Sequence, residues 1–147
     1  MNESSGPTHP SDSLAQRSAE AEILVALEKL LGIRLNGRPG IDQPVELDGF
    51  ADGDTPICVE VWAHQGPAKG GQPAKVMRDF CKLLLVEKLL GKKCRKVVTV
   101  CDEAALRFLG NSWQGRFANE FGIERIVVAV SDATRLKLQA AQDRQRR

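Results

Sequence analysis

Two short runs rich in β-branched apolar residues constrain the fold of this chain most strongly. They are KVVTVC at residues 96–101 and IERIVVAV at residues 123–130, with a stretch of helical character between them. Strands that read as nearly continuous apolar runs are typical of sheets covered by helices on both faces. The sequence therefore predicts a three-layer α/β protein with a central sheet between helices.

The rest of the chain supplies the other elements of that fold. VELDGF and PICVEVW, at residues 45–50 and 56–62, predict two strands joined by the turn-rich ADGDT, so the sheet is mixed. Helical spacing predicts helices over 14–31, 73–90 and 131–147, and two more after Asp102, the second lined by Trp113, Phe117 and Phe121. Residues 1–13 contain no apolar run and are expected to form a disordered tail before a single domain at 14–147.

Composition and charge bound the function. The chain has neither the features of a signal peptide nor an apolar run of membrane-spanning length, so we expect a soluble cytoplasmic protein. Three of its four cysteines lie in apolar patterns and are expected to be buried and reduced.

The charge of the chain is unevenly distributed. Residues 1–68 carry a net charge of −7 and residues 69–96 carry a net charge of +7. This asymmetry fits a metal site beside a phosphate-binding surface, or equally a solvated basic helix.

Two acidic residues fall on the neighbouring predicted strands. A loop symmetric about Asp54 places Asp48 directly opposite Glu60, where like charges repel one another. Either both groups are solvated at a sheet edge, or a cation lies between them. Mg²⁺ is commonly held by one or two carboxylates together with waters and phosphate oxygens.

The first and second predicted helices add polar residues to the same region. Glu20 lies on the apolar stripe of the first helix, where a carboxylate is unusual unless it is paired, although it could also be a helix-start acid. Gln72, Lys75 and Asp79 follow one edge of the second helix. The glycines before that helix leave backbone N–H groups able to bind phosphate, but they are also ordinary turn residues.

An acid in a first helix, Asp and Glu on adjacent strands, and a following helix with Gln and Lys resemble the PD-(D/E)xK, or restriction-endonuclease-like, nuclease superfamily. The resemblance covers roughly Glu20 to Cys101. It matches Glu20 to the first-helix acid, Asp48 to the motif aspartate and Glu60 to the motif glutamate. It implies that Asp48 and Glu60 hold Mg²⁺ or Mn²⁺ for the hydrolysis of nucleic-acid phosphodiesters, although some members retain only binding or scaffolding roles.

Two positions depart from the pattern of this superfamily. Leu47 replaces the motif proline, and Trp62 stands at the position of the motif lysine, whose charge an indole cannot supply. In parts of the superfamily the lysine comes from the following helix. The resemblance therefore points to Lys75 as its substitute, with Lys69 second, and to Lys69 and Gln72 as substrate contacts.

The sequence thus predicts a metal-dependent nuclease in which Glu20, Asp48, Glu60 and Lys75 are catalytic. One alternative is a catalytically inactive nuclease-fold module that binds nucleic acid or a protein partner. Another is an unrelated α/β interaction domain with incidental carboxylates. The choice between DNA and RNA and the presence of a homo-oligomer are left open.

Overall fold

The structure, a computed structural model, describes residues 10–66 and 68–145. Within these ranges the elements follow the order α1 (Pro10–Leu31), β1 (Gly49–Ala51), β2 (Ile57–Trp62), α2 (Gln72–Leu90), β3 (Arg95–Val100), α3 (Glu103–Asn111), α4 (Trp113–Glu120), β4 (Ile123–Val127) and α5 (Asp132–Gln145). No helix in the described ranges is long and apolar enough to cross a membrane.

The four strands form one mixed sheet in the spatial order β1-β2-β3-β4. β1 runs antiparallel to β2, whereas β2, β3 and β4 are parallel to one another. Parallel neighbours require crossover connections, which α2 provides between β2 and β3, and α3 with α4 between β3 and β4. The prediction of an α/β protein with a mixed sheet packed against helices is confirmed.

Helices cover both faces of the sheet. On one face α2, α3 and α4 enclose a core that includes Phe80, Leu83 and Val98, and on the other α1 and α5 enclose a core that includes Ile23 and Leu138. Side chains alternate between the faces along a strand. Val59 and Val61 therefore pack towards α1, while Cys58, Glu60 and Trp62 face α2. This alternation places Glu60 under the second helix.

The edge strand β1 is shorter than its sequence predicts. It begins at Gly49, and residues 35–37 run along its outer edge, where Asn36 forms an isolated bridge with Phe50. Regular pairing stops at Asp48 because the side chains of Asp48 and Glu60 bond the backbone N–H groups of the opposite strand. The sheet is therefore open beside the second half of β2.

The first helix begins earlier than helical spacing predicts. α1 starts at Pro10, so residues 10–13 of the predicted tail are helical, and residues 1–9 lie outside the described residues. The carboxylate of Glu22 on this helix accepts hydrogen bonds from the Ser131 N–H (2.7 Å) and the Thr134 hydroxyl. Glu22 thereby caps α5 and fixes the two helices against each other.

The aromatic stripe predicted for the fourth helix contributes only partly to the core. Phe117 stacks on Phe80, but Trp113 is 66% exposed and Phe121 is 49% exposed. The buried residues of α4 are instead Gln114, Gly115 and Ala118, and at Gly115 the Leu109 carbonyl of α3 leaves no room for a Cβ atom.

The cysteines follow their prediction. Cys58, Cys94 and Cys101 are buried, Cys81 is exposed, and all four are free thiols. Burial raises the pKa of the Cys58 thiol to about 12, which disfavours its reactive thiolate form.

Candidate functional site

Asp48 and Glu60 stand side by side at the end of β1. Gly49 pairs with Val59 and Phe50 with Cys58, and the same register continued by one residue sets Asp48 opposite Glu60. The Asp48 N–H donates to Glu60 Oε2 at 3.1 Å, and the Val61 N–H donates to Asp48 Oδ2 at 2.7 Å. The two carboxylates thus replace the backbone ladder where the strands separate.

Lys82 of α2 provides the cation nearest to this pair. Its ammonium forms an ion pair with Glu60 Oε1, and the Glu60 side chain is only 1% exposed. Desolvation by burial, aided by hydrogen bonding and charge repulsion from Asp48, raises the pKa of Glu60 to about 8 even though Lys82 opposes the shift. For Lys82, burial lowers the pKa, but Glu60, Asp48 and Asp79 together raise it above its ordinary value. Lys82 therefore stays charged, whereas burial makes the charged form of Glu60 costly.

A second acid–base pair lies one to two turns earlier on the same helix. Lys75 Nζ donates to Asp79 Oδ2 at 3.1 Å, and Asp79 is buried. Burial raises the pKa of Asp79; Lys75 opposes this shift, and the charge of Asp48 adds to it. Lys75, predicted as the substitute for the motif lysine, thus forms an ion pair with Asp79. The lysine that contacts Glu60 is Lys82.

Glu20 approaches from α1, on the other face of the sheet. It is half-buried and accepts a hydrogen bond from Gln16 Nε2 at 3.2 Å. Burial raises the pKa of Glu20, Gln16 opposes this, and the charge of Asp48 raises the pKa further. We call Glu20, Asp48, Glu60 and Asp79, together with Lys75 and Lys82, the carboxylate cluster.

Trp62 occupies a core position and not a place in the cluster. Its ring is 1% exposed, its Nε1–H donates to Gln72 Oε1 at 2.6 Å, and the His64 ring stacks on it with centroids 5.4 Å apart. A buried indole requires such a partner for its N–H. Gln72 is therefore engaged with Trp62, and Lys69 is exposed in the preceding loop.

Sequence reasoning identified neither Lys82 nor its contact with Glu60. The signal was present, since Lys82 follows Lys75 by seven residues and Asp79 by three, which places all three on one stripe of a helix. Extending that stripe by one turn would have included it.

The donor set of the cluster is composed of carboxylate oxygens. In the part of the chain that the structure describes, no group of three or more His, Cys, Asp or Glu residues is arranged to hold a metal ion. Mg²⁺ needs only one or two protein carboxylates, because waters and phosphate oxygens complete its octahedron. A metal site on Asp48 and Glu60 would therefore be a two-carboxylate site completed by other ligands, and the ion pair with Lys82 would have to open for Glu60 Oε1 to bind the ion.

Comparison with known proteins gives no match for this chain, either among family models, among curated proteins or among solved structures.

Proposed function

We propose that this protein is a metal-dependent phosphodiesterase that cleaves nucleic acid, with a site like that of the PD-(D/E)xK nucleases. The observation that carries the proposal is the contact of the Lys82 ammonium with Glu60 Oε1, beside the aligned carboxylate of Asp48. A lysine next to two adjacent carboxylates is the combination that the superfamily motif provides. Here Lys82 supplies from α2 the charge that Trp62 cannot supply from β2.

Asp48 and Glu60 would hold the Mg²⁺ or Mn²⁺ ion. One oxygen of each is fixed by a backbone N–H group, at 2.7 Å for Asp48 and 3.1 Å for Glu60, which orients both carboxylates. When bound, such an ion lowers the pKa of a coordinated water and neutralises charge on the phosphate.

The remaining members of the cluster have roles that follow from their charge and position. The Lys82 ammonium would contact the phosphate oxygens, where negative charge grows in the transition state. Lys75, with 32% of its side chain exposed, would contact a neighbouring phosphate. Glu20 would bind a water at the α1 side of the cluster.

The charge of α2 and its flanking residues supports an anionic polymer as substrate. Residues 69–96 carry nine Lys or Arg against two acidic residues. Such an excess of positive charge attracts phosphate backbones without regard to sequence.

A second candidate is the inactive nuclease-fold module. The ion pair of Lys82 with Glu60 favours it, because a permanent pair would neutralise the oxygen that a metal ion would otherwise bind. In that case the cluster is structural, and the basic helix alone binds nucleic acid or a protein partner.

Cleavage of end-labelled single-stranded and double-stranded DNA and RNA tests the proposal, with Mg²⁺, Mn²⁺ or EDTA. We expect cleavage that requires a divalent ion and that falls about 10²–10³-fold in Lys82→Ala, as for loss of a transition-state charge contact. Lys29→Ala, at an exposed position of α1 outside this basic segment, is the matched control and should cleave normally. Binding without cleavage of any substrate would instead support the inactive module.

A further inference from the structure

A cavity of about 490 Å³ adjoins the carboxylate cluster. It lies between α1, α5 and the end of β2, and Glu20 and Lys75 of the cluster form part of its wall. Its volume is within the range of sites that enclose small organic ligands, about 300–1,000 Å³. A chemical group that enters this cavity is therefore next to the residues proposed to act on phosphate.

The inner wall of the cavity is apolar and contains an oriented aromatic ring. Ala63, Leu138 and Ala141 provide its apolar surface. The His64 ring lies at 4° to the Trp62 ring, and Gln72 holds the Trp62 indole in place. The His64 ring thus has a fixed plane before any ligand binds.

The rim of the cavity is polar and carries charges of both signs. Arg17 and Lys75 contribute positive charge, Glu20 contributes negative charge, and Gln16 contributes an amide. Gln142 accepts a hydrogen bond from the Gln65 N–H at 2.8 Å and donates to the Gln65 carbonyl at 3.0 Å. These two bonds attach the loop after β2 to α5 and keep this wall of the cavity in position.

We propose that the cavity binds one unpaired nucleobase of the substrate, at a nucleotide adjacent to the scissile phosphate. This inference rests on the proposed function. A planar ring, apolar walls and amide groups are the features with which proteins bind splayed-out bases, and the cations at the rim match the attached phosphates. A base stacked and paired in a duplex cannot enter a cleft between two helices without being extruded. The substrate is therefore single-stranded nucleic acid, or a duplex with an unpaired nucleotide.

Binding measured by fluorescence anisotropy in EDTA tests the cavity independently of cleavage. The probes are labelled single strands of one sequence, too short to bind in a second register and either intact or abasic at one position, together with the matching duplex closed as a hairpin. Base–aromatic stacking is worth about 1–3 kcal/mol per base, so one abasic position should weaken binding about fivefold or more. The His64→Ala variant should bind the intact strand more weakly than the wild type does, by the same factor. The abasic site should then cause no further loss of affinity in this variant. Trp113→Ala, which removes an exposed aromatic ring outside the cavity, should behave as wild type.

The outcomes separate the two proposals. Equal affinity for every abasic strand, or tighter binding of intact duplex than of single strand, would overturn the nucleobase pocket while metal-dependent cleavage could still stand. A position-specific abasic effect that His64→Ala abolishes supports the pocket, even if no substrate is cut. If the Trp113→Ala variant alone loses the abasic effect, the base stacks on the outer surface and the pocket is wrong.

Discussion

The carboxylates of Asp48 and Glu60 each accept a hydrogen bond from the opposite strand. Glu60 Oε2 accepts from the Asp48 N–H, and Asp48 Oδ2 accepts from the N–H of Val61, the residue after Glu60. Backbone donors and the Lys82 ammonium therefore hold both side chains without a metal ion. It follows that the metal-free protein should be folded, and that metal binding should be measurable as added stability.

Mg²⁺ or Mn²⁺ should raise the melting temperature of the protein, because the ion binds the folded state. If the ion exceeds its Kd by about tenfold to hundredfold, the expected rise is about 3–10 °C. Asp48→Asn should reduce the rise, since the amide can still accept from the Val61 N–H but lacks the charge. Asp54→Asn, at an exposed turn position, is the matched control. Equal shifts in wild type and Asp48→Asn, measured by scanning calorimetry, would exclude Asp48 as a ligand.

The stability of the metal-free protein should depend on the titration of Glu60. Its folded-state pKa of about 8 lies above its ordinary value of 4.5. The stability contributed by the protonated form is thus fully present below pH 4.5 and is lost as pH rises through about 8. Glu60→Gln cannot titrate, so wild type should lose stability relative to this variant as pH rises. Urea unfolding in EDTA measures this difference, and a gap that is constant from pH 5 to pH 9 would contradict the raised pKa.

Lys75 and Lys82 should affect different kinetic constants. Lys75 pairs with Asp79 and lines the cavity, so Lys75→Ala should raise KM for nucleic acid and change kcat by less than about tenfold. Lys82→Ala should lower kcat, and Lys69→Ala, which removes an exposed loop charge, should have the smallest effect on kcat. Steady-state cleavage at saturating Mg²⁺ separates the two constants. A larger fall in kcat for Lys75→Ala than for Lys82→Ala would return the role of the motif lysine to Lys75.

Among the glycines at the junction of α3 and α4, Gly115 should be the one whose substitution by alanine destabilises the protein most. A Cβ atom there would lie 2.0 Å from the Leu109 carbonyl oxygen, so the two helices must move apart. Gly115→Ala should lower the free energy of unfolding by about 1–3 kcal/mol, as overpacking does. Gly110→Ala is the matched control, because its added Cβ meets no atom within 4 Å beyond the adjacent backbone of its own helix, and alanine favours the helix. Urea denaturation should therefore show destabilisation only for Gly115→Ala.

The regular elements could be predicted from sequence because periodicity determines them. The buried strand β3, the helices and the Asp48–Glu60 register follow from apolar spacing and from a turn symmetric about Asp54. The prediction of a second buried strand was wrong, because β4 lies at the edge of the sheet and only Ile123 of its five residues is buried. Spacing by four places Trp113 and Phe121 on one stripe, but it does not tell whether that stripe meets a partner. Both rings are substantially exposed because the close contact with α3 turns Gly115 inward.

The partners of long side chains were the hardest part of the candidate site to predict. Lys75 and Lys82 lie on the same stripe of α2, and which of them contacts Glu60 depends on the axial position of that helix relative to β2. Sequence spacing fixes the angle of a side chain around the helix axis but not this axial position. The role of Trp62 was similarly hidden, because its position in the core depends on a hydrogen bond to Gln72 across the following loop.

The bridge at Asn36 closes the outer edge of β1. The Phe50 N–H donates to the Leu35 carbonyl at 3.1 Å, and the Gly37 N–H donates to the Phe50 carbonyl at 2.9 Å. Unpaired strand edges are templates for domain swapping and amyloid growth. Because both backbone groups of Phe50 are already bonded, the strand that leads from Asp48 offers no free edge to a second copy of the chain at this residue. The protein can thus leave its sheet open beside the second half of β2 while limiting its own aggregation.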